Sequence, residues 1–426
     1  MKNAICGRVG RWGASLLLSG GILVFGSQQY ASGQGAGSMK RPGPNDDLLK
    51  LNMKFDGAQS CSNAQCHGAD APKEGKGATT LAEYTQWSGG DKHKDAFGQL
   101  SNDQGKKIAD ALKIADATAD ARCTQCHALD VPQKLQGKQY DKSEGVSCAS
   151  CHGPSEKWLS PHKEKGWTEK QRTALKTHDA LLKQWGLYDT KSVLARADKC
   201  TSCHLAIDAD MVAAGHPQPT FELDYFSKSE AKGGIYTQQH WRDPNVPFYN
   251  ASLWSTGQAV SVRDAMHQLA DRAGTKADAK AVTDAFNQAM AHYSVFRGTG
   301  YTGKWDAVSG ALAKAMTAKD MAGVAKNAQM IADEAGKVAP GVGAAKWDKA
   351  RTMGILQYLL KDPTPAAYGD KGMEQQAYAI YSLYNAITPN GPAAKAIVEQ
   401  LFPPEQGAYD KAKFAAGLKA VAGQVK

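Results

Sequence analysis

The carboxyl-terminal part of the chain carries a repeated helical pattern of apolar positions. After residue 253, apolar side chains recur at three- and four-residue intervals within segments separated by glycine and proline. The pattern predicts helices over residues 254–273, 277–296, 305–316, 321–339, 346–360, 374–387 and 393–402. Breaks are predicted at 298–300, 340–341 and 389–392. The number and length of these helices favour an antiparallel bundle of six to eight helices.

The amino terminus has the pattern of a secretory signal peptide over residues 1–33. Three basic residues precede an apolar stretch from Trp12 to Phe25, and small residues follow at 31–33. An uncleaved membrane anchor is the alternative, although the stretch is short for a membrane span. No later segment is apolar enough to cross a bilayer. We therefore expect an exported, periplasmic or otherwise extracytoplasmic protein that is soluble after cleavage.

Between these two regions, four cysteine pairs are each followed directly by a histidine. Three pairs have two intervening residues and the first pair has four. The motifs are Cys61–Cys66–His67, Cys123–Cys126–His127, Cys148–Cys151–His152 and Cys200–Cys203–His204. Histidine accounts for only 11 of 426 residues, so four such coincidences cannot be attributed to chance. The spacing is typical of c-type haem attachment.

Other uses of paired cysteines fit the pattern poorly. A zinc ribbon combines two pairs in one tetrahedral site and does not need a histidine after each pair. A thioredoxin-like redox motif occurs singly and beside a βαβ pattern, which is absent. Disulfides would require cysteines outside the motifs, and only Cys6 remains, within the predicted signal. We therefore expect thioethers from all eight motif cysteines to four haems, with His67, His127, His152 and His204 as proximal iron ligands.

Four haems within residues 34–235 leave little protein for an aliphatic core around each. We therefore predict a mainly α protein: a tetrahaem domain (34–235) of short helices and loops wrapped around stacked haems, then a haem-free helical domain (236–426).

The formal net charge is +9, with +3 in the signal, about +1 in the haem region and about +5 in the remainder. Haem propionates would make the holoprotein nearly neutral. No arginine-rich or basic-aromatic pattern indicates nucleic-acid binding.

The second axial ligand of each iron decides between electron transfer and catalysis. Two imidazoles give a six-coordinate relay, whereas an open face can bind a small molecule. Seven histidines lie outside the motifs and are available for this role: His93, His162, His178, His216, His240, His267 and His292. His216 sits between glycine and proline in a rigid turn suited to a ligand. His267 and His292 lie in predicted tail helices, where a structural role is expected.

Three blocks of sequence resemble the cytochrome c-554-like family, also described as cytochrome c-552/4, of multihaem cytochromes. The first runs from Gln59 through the first motif to Glu83-Tyr84, Trp87 and His93. The second is Gly145-Val146-Ser147 with the third motif, Gly153-Pro154 and His162. The third is the fourth motif with Gly215-His216-Pro217 and Phe221-Glu222-Leu223. The blocks occur in order over residues 57–260, and the resemblance implies electron transfer through closely stacked haems.

The resemblance also implies distal ligand roles for His93 and His162. The fourth distal ligand is not transferable, because residues 194–199 contain no histidine where some family members have one. His178 and His240 are the weaker candidates, with Met211 or an open position as further alternatives. The longer spacing of Cys61 and Cys66 also departs from the usual motif.

The leading interpretation is an exported tetrahaem electron carrier that passes single electrons between redox partner proteins. An oxidoreductase acting on a small nitrogen or sulfur compound at a five-coordinate haem is one alternative. A subunit of a polymeric haem wire, with a distal histidine shared between copies, is another, so an oligomer is possible. The tail has no metal-ligand spacing, nucleophile elbow or phosphate loop. Its expected role is to cover the haem domain or to present a docking surface.

Overall fold

The part of the chain that contains the motifs is built from short helices joined by loops. The structure is a computed structural model that describes residues 43–71, 80–205, 207–230, 236–239, 246–275, 277–403 and 408–425. The helices of this part have 4 to 12 residues. They are α1 (Asp46–Leu49), α2 (Glu83–Gly90), α3 (Ala96–Gln99), α4 (Asp103–Ala111), α5 (Ala121–His127), α6 (Cys148–His152), α7 (Trp167–Leu175), α8 (His178–Trp185), α9 (Val193–His204), α10 (Ala209–Ala213) and α11 (Leu223–Phe226).

Two short strands follow this region, and long helices make up the rest of the chain. Strands β1 (Lys228–Glu230) and β2 (Tyr236–Gln239) pair antiparallel. The helices are α12 (Tyr249–Gly274), α13 (Ala279–Phe296), α14 (Asp306–Thr317), α15 (Met321–Gly343), α16 (Lys349–Leu359), α17 (Gly369–Ile387), α18 (Ala393–Leu401) and α19 (Lys411–Ala422). The prediction of a mainly α fold is confirmed. The predicted signal segment and His240 lie outside the described residues.

Two details of the tail differ from the prediction. The break predicted at 340–341 is wrong, because α15 continues through Pro340 to Gly343. Proline removes one backbone hydrogen bond there, but less than one helical turn follows it, and Ala339 and Val342 remain buried in the same core as α12. Helix α19 was not predicted, although Phe414, Leu418 and Val421 have helical spacing and are buried.

Apolar packing is concentrated in the long helices. The largest buried cluster combines side chains of α12 to α15, and it extends to Ala197 of α9 and to Phe221. A second cluster joins α16 to α19 with Trp254 of α12. Among its described residues, the motif region has two small clusters, around Phe55 and around Leu100. This thin packing agrees with the expectation that the motif region lacks a large aliphatic core of its own.

Helix α9 connects the last motif to the tail. Besides its apolar contacts, Asp198 lies 2.9 Å from the guanidinium of Arg263 on α12. Burial raises the pKa of Asp198 to about 6, although the charge of Arg263 acts in the opposite direction.

The described residues cluster as one compact unit, so the domain boundary near residue 235 stays a prediction. Within that unit, no helix has the length and hydropathy of a membrane span.

The core of the tail predicts a position-specific loss of stability. Ile331 is 1% exposed in the largest cluster, whereas its neighbour Met330 on the same helix is 44% exposed. Ile331→Ala should reduce the free energy of unfolding by about 2–5 kcal/mol, because it removes buried methyl groups and leaves a cavity. Met330→Ala should change it by less than about 0.5 kcal/mol. Denaturant unfolding of both variants measures this, and equal losses would contradict the packing.

Candidate functional site

Three of the four motifs lie on short helices that end at the motif histidine. Helix α5 ends at His127, α6 spans Cys148–His152, and α9 ends at His204. A helix places residues i and i+3 on one face, so the two cysteines of each motif share a side. Each helix begins with a residue suited to an N-cap: Asp120, Ser147 and Ser192. The sequence therefore favours the start of each motif helix locally.

The first motif has a different local structure because its cysteines are further apart. A 3₁₀ helix covers Ala58–Cys61, and a turn follows in which the N–H groups of Cys66 and Gly68 both donate to the carbonyl of Asn63. A Cβ on Gly68 would meet the backbone of Ser62, so the turn needs glycine at this position. The turn brings His67, the residue after Cys66, close to the start of α2.

The structure places three motif histidines opposite three histidines from outside the motifs. We call these the three histidine couples: His67 with His162, His204 with His93, and His127 with His216. Their ring centroids are 6.3, 6.1 and 6.1 Å apart, and their ring planes make angles of 10°, 83° and 80°. All three distal candidates favoured by the sequence therefore occur in couples. The sequence did not indicate which distal histidine faces which motif.

The centroid distances suit one metal ion held between two imidazoles. Two metal–nitrogen bonds of about 2.0 Å, plus about 1.1 Å from each nitrogen to its ring centre, put the centroids about 6.2 Å apart. Direct stacking of two imidazoles would bring the rings closer. Among the described residues, no three His, Cys, Asp or Glu side chains converge on one metal site, so the imidazoles are arranged in twos.

Most of the six rings are fixed through Nδ1. The Nδ1 of His127 lies 2.9 Å from the carbonyl oxygen of Ala96, that of His162 lies 2.7 Å from Leu159, and that of His216 lies 2.8 Å from Pro217. A carbonyl oxygen only accepts, so each Nδ1 carries the proton and Nε2 keeps its lone pair. Within the described part of the chain, Nε2 of these three rings has no protein hydrogen-bond partner. That is the tautomer an iron ligand requires.

Two further rings are fixed by carboxylates. Nδ1 of His67 lies 3.0 Å from Glu83, the first residue of α2, and Nδ1 of His93 lies 2.9 Å from Asp91. These hydrogen bonds raise the pKa of both histidines. Burial acts to raise the pKa of Glu83, but hydrogen bonds with His67 and Thr80 outweigh it and bring the pKa to about 2. Glu83 is therefore an anion.

The sixth ring, His204, is held by burial rather than by a hydrogen bond. Its Nδ1 is buried and has no hydrogen-bond partner among the described residues, and its ring packs on Phe221 at 5.5 Å. Burial lowers the pKa of His204 to about 4, and it also lowers the pKa of His127 and His162. All three are therefore neutral imidazoles near neutral pH, as metal ligands must be.

The remaining motif histidine, His152, lies at the end of α6. Its Nδ1 is 3.5 Å from the hydroxyl of Thr190, and its carbonyl accepts from Tyr188. His178 packs on the ring of Tyr188, and its Nδ1 accepts from the N–H of Asp189 at 3.3 Å. A neutral imidazole that accepts at Nδ1 carries its proton on Nε2. In this arrangement Nδ1 of His178 accepts, whereas Nδ1 of His127, His162 and His216 donates.

The motif cysteines approach one another across motifs. None of the eight is in a disulfide. Cys61 of the first motif lies beside Cys148 of the third, and Cys126 of the second lies beside Cys203 of the fourth. These contacts lower the pKa of Cys61 and of Cys203 and raise that of each partner. Cys151 and Cys200 lie close enough for a charge on one thiol to raise the pKa of the other.

The tail histidines are engaged within the helical part. His292 is buried, and its Nδ1 lies 2.9 Å from the side-chain oxygen of Gln258. Burial lowers its pKa to about 3. His267 is part-buried, with Nδ1 3.3 Å from Gln329. Met211 is buried on α10, and its carbonyl accepts from the N–H of His216.

A comparison with known families found one match, to part of the motif region. Residues 60–153 match the family model described as cytochrome c554 and c-prime. The match covers the first three motifs and His93, and it supports a cytochrome c family, with covalent c-type haem and haem-based electron transfer. It does not extend to the fourth motif or to the tail. No curated protein and no solved structure matches the chain significantly.

Sequence reasoning missed the groups that orient the imidazoles. Glu83 lies in one of the family-like blocks and is the first residue of α2. An acidic residue at a helix start is explained by the helix dipole, so its sequence position does not point to a bond with a histidine. Asp91 precedes His93 by two residues, a spacing that allows a local side-chain hydrogen bond and could have been noticed. The contact of Ala96 with His127 is between residues 31 positions apart, and no local pattern reveals it.

The turn at Gly145 predicts a specific sensitivity beside His93. Gly145 has φ +70°, and a Cβ there would lie 2.6 Å from the carbonyl oxygen of His93 and 2.7 Å from that of Lys94. Gly145→Ala should cost about 2–4 kcal/mol of unfolding free energy, combining left-handed strain with displacement of the His93 backbone. Gly166 has φ +78° with open space around it, so Gly166→Ala should cost only about 1 kcal/mol. Thermal unfolding compares the two, and an equal loss would contradict the contact with His93.

Proposed function

We propose that this protein is an exported tetrahaem c-type cytochrome that transfers single electrons between redox partner proteins. The match to a cytochrome c family supports haem chemistry and electron transfer. The four cysteine–histidine motifs support the number of haems, and the pattern of residues 1–33 supports export. When bound, each haem supplies an iron that alternates between the ferric and ferrous states.

The residues of this chain suit that cofactor. None of the eight motif cysteines is in a disulfide, so all eight would be available for thioether bonds. His67, His127, His152 and His204 are the proximal ligands, and His162, His216 and His93 are the distal ligands of the first, second and fourth motifs. The observation that carries the proposal is the 6.1–6.3 Å separation within the three histidine couples. This separation leaves space for one ion bound by two Nε2 atoms.

We propose His240 as the distal ligand of the third motif. His178 is the other histidine that the sequence offered, and its Nδ1 accepts from Asp189, which leaves Nε2 protonated. Met211 and an open position were the remaining alternatives. Nδ1 of His178 is held by the N–H of Asp189, whereas His240 is the unassigned histidine closest in sequence to the motif region.

The cysteine contacts support a spatial order of motifs that differs from their order in the sequence. The first motif meets the third through Cys61 and Cys148, and the second meets the fourth through Cys126 and Cys203. Burial raises the pKa of Cys200, and the nearby Cys151 acts in the same direction, which links the third motif to the fourth. The attachment points therefore run first, third, fourth, second, and a chain of close neighbours is what stepwise electron transfer requires.

The tail has a structural role in this proposal. Helix α9 ends at His204, and it shares a buried core with α12 and α15. Phe221, in the same core, packs on the His204 ring. The helical domain therefore covers the His204 side of the motif region and excludes water from it, as expected from its lack of catalytic motifs.

Removing one member of a couple tests the proposal. His162→Ala should convert one of four low-spin ferric haems to a high-spin form, because His67 would then be the only axial ligand of that iron. His267→Ala is the matched control, since that ring lies 3.3 Å from Gln329 within the tail helices and belongs to no histidine couple, and it should leave the haem signals unchanged. Low-temperature EPR, with the haem number from intact mass, measures both. Four unchanged low-spin signals in His162→Ala, or fewer than four haems in the unmodified protein, would reject the assignment.

A second pair of substitutions tests the fourth distal ligand. His240→Ala should also produce one high-spin haem, whereas His178→Ala should leave all haems low-spin, because the His178 ring is bonded to Asp189 through Nδ1. Cyanide binding, followed optically, reports an opened iron position. The reverse pattern would make His178 the ligand. A cyanide-reactive haem in the unmodified protein would instead favour catalysis at an open iron.

A further inference from the structure

Glu83 is a buried carboxylate attached to an iron-ligand histidine, and the ligand set alone does not explain it. Its side chain is 10% exposed, and its Oε2 lies 3.0 Å from Nδ1 of His67. The other carboxylate of this kind, Asp91 beside His93, is 40% exposed. His127, His162 and His216 have neutral carbonyl partners instead. Of these rings, His67 alone therefore faces a buried negative charge.

Several contacts fix Glu83 in place. Its Oε1 accepts hydrogen bonds from the N–H and the hydroxyl of Thr80. Glu83 begins α2, where the helix dipole favours a negative charge. The next residue, Tyr84, donates its N–H to the carbonyl of His67 at 2.9 Å. Two successive residues of α2 thus hold His67, one through its ring and one through its backbone.

A charged acceptor on Nδ1 changes the imidazole as a ligand. It draws the Nδ1 proton away and makes Nε2 a stronger electron donor to the metal. A stronger donor stabilises the ferric state relative to the ferrous state, which lowers the reduction potential. The effect is larger for a buried carboxylate than for an exposed one, because solvent screens the exposed charge.

We infer that Glu83 is a positioning residue that lowers the reduction potential of the haem attached at the first motif. The inference rests on the proposed function, because it requires a haem bound by His67. It adds a role that the ligand set does not assign: the carboxylate makes this haem a better electron donor than it would be with a neutral partner on His67.

The test uses Glu83→Gln, which keeps an oxygen acceptor and removes the charge. At a fixed applied potential, the ratio of reduced to oxidised first-motif haem should rise about tenfold, which corresponds to about 59 mV for one electron. Asp91→Asn is the matched control, and it should produce a smaller shift at the fourth-motif haem. Potentiometric titration followed by EPR measures both.

The haem of interest can be followed separately from the others. The His67 and His162 rings are 10° from parallel, whereas the other two couples are close to perpendicular. Near-parallel axial imidazoles give a rhombic low-spin signal, and near-perpendicular ones give a strongly anisotropic signal. The rhombic signal of this couple should shift in potential in Glu83→Gln while the anisotropic signals keep theirs.

A second variant has the opposite expected sign. Thr80→Val removes the hydroxyl that donates to Glu83 Oε1 and leaves the carboxylate charged, so more charge is available to His67 and the potential should fall. This variant decides the question if Glu83→Gln does not fold. A merely structural role for Glu83 would not produce shifts of opposite sign.

The outcomes separate this inference from the proposed function. Absence of a haem at the first motif of the unmodified protein would overturn the proposed function together with this inference. A haem that is present and low-spin, but whose potential is unchanged in both variants, would overturn the role of Glu83 alone.

Discussion

The separation of two imidazoles by the width of one bound ion is the constraint on which the rest of this structure depends. Polar rings about 6 Å apart would be expected to close on each other or turn toward water unless other contacts held them. In the three histidine couples, five rings have Nδ1 bonded to a carbonyl or a carboxylate, and the sixth is enclosed by apolar groups. The surrounding chain thus leaves Nε2 of each couple as the available ligand.

The short helices of the motif region follow from that constraint. Each motif helix needs only to present two cysteines on one face and to end at a histidine, and five to twelve residues are enough for this. Long helices are needed where the protein must supply its own apolar core, and they are found in the tail. Helix α9 serves both needs, because it carries the fourth motif and packs into the tail core. Its Asp198 is joined to Arg263 of α12.

The sequence predicted the chemistry of the site better than its geometry. The four motifs are local patterns, so their cysteines and histidines could be identified without a structure, as could the mainly α fold and most tail helices. His93, His162 and His216 were also identified, through family-like blocks and a rigid turn. Their partners were not identified, because the two histidines of each couple lie 89 to 111 positions apart in the sequence. Only tertiary packing brings residues at such separations together.

Other features were missed for related physical reasons. Pro340 suggested a helix end, but the burial of Ala339 and Val342 outweighs one lost hydrogen bond. Glu83 was identified only as part of a family-like block, whereas in the structure it begins α2 and also binds His67. In both cases the local pattern was compatible with more than one structure, and a contact distant in sequence selected the one that forms.

The central claim is that the two imidazoles of each couple bind the same iron. Anomalous diffraction at the iron edge from crystals of the mature haem-loaded protein tests this most directly. The account predicts an iron position midway between the rings of His67 and His162, of His204 and His93, and of His127 and His216, with Nε2 of each ring toward it. Iron placed against a motif histidine but away from its partner in the couple would contradict the account.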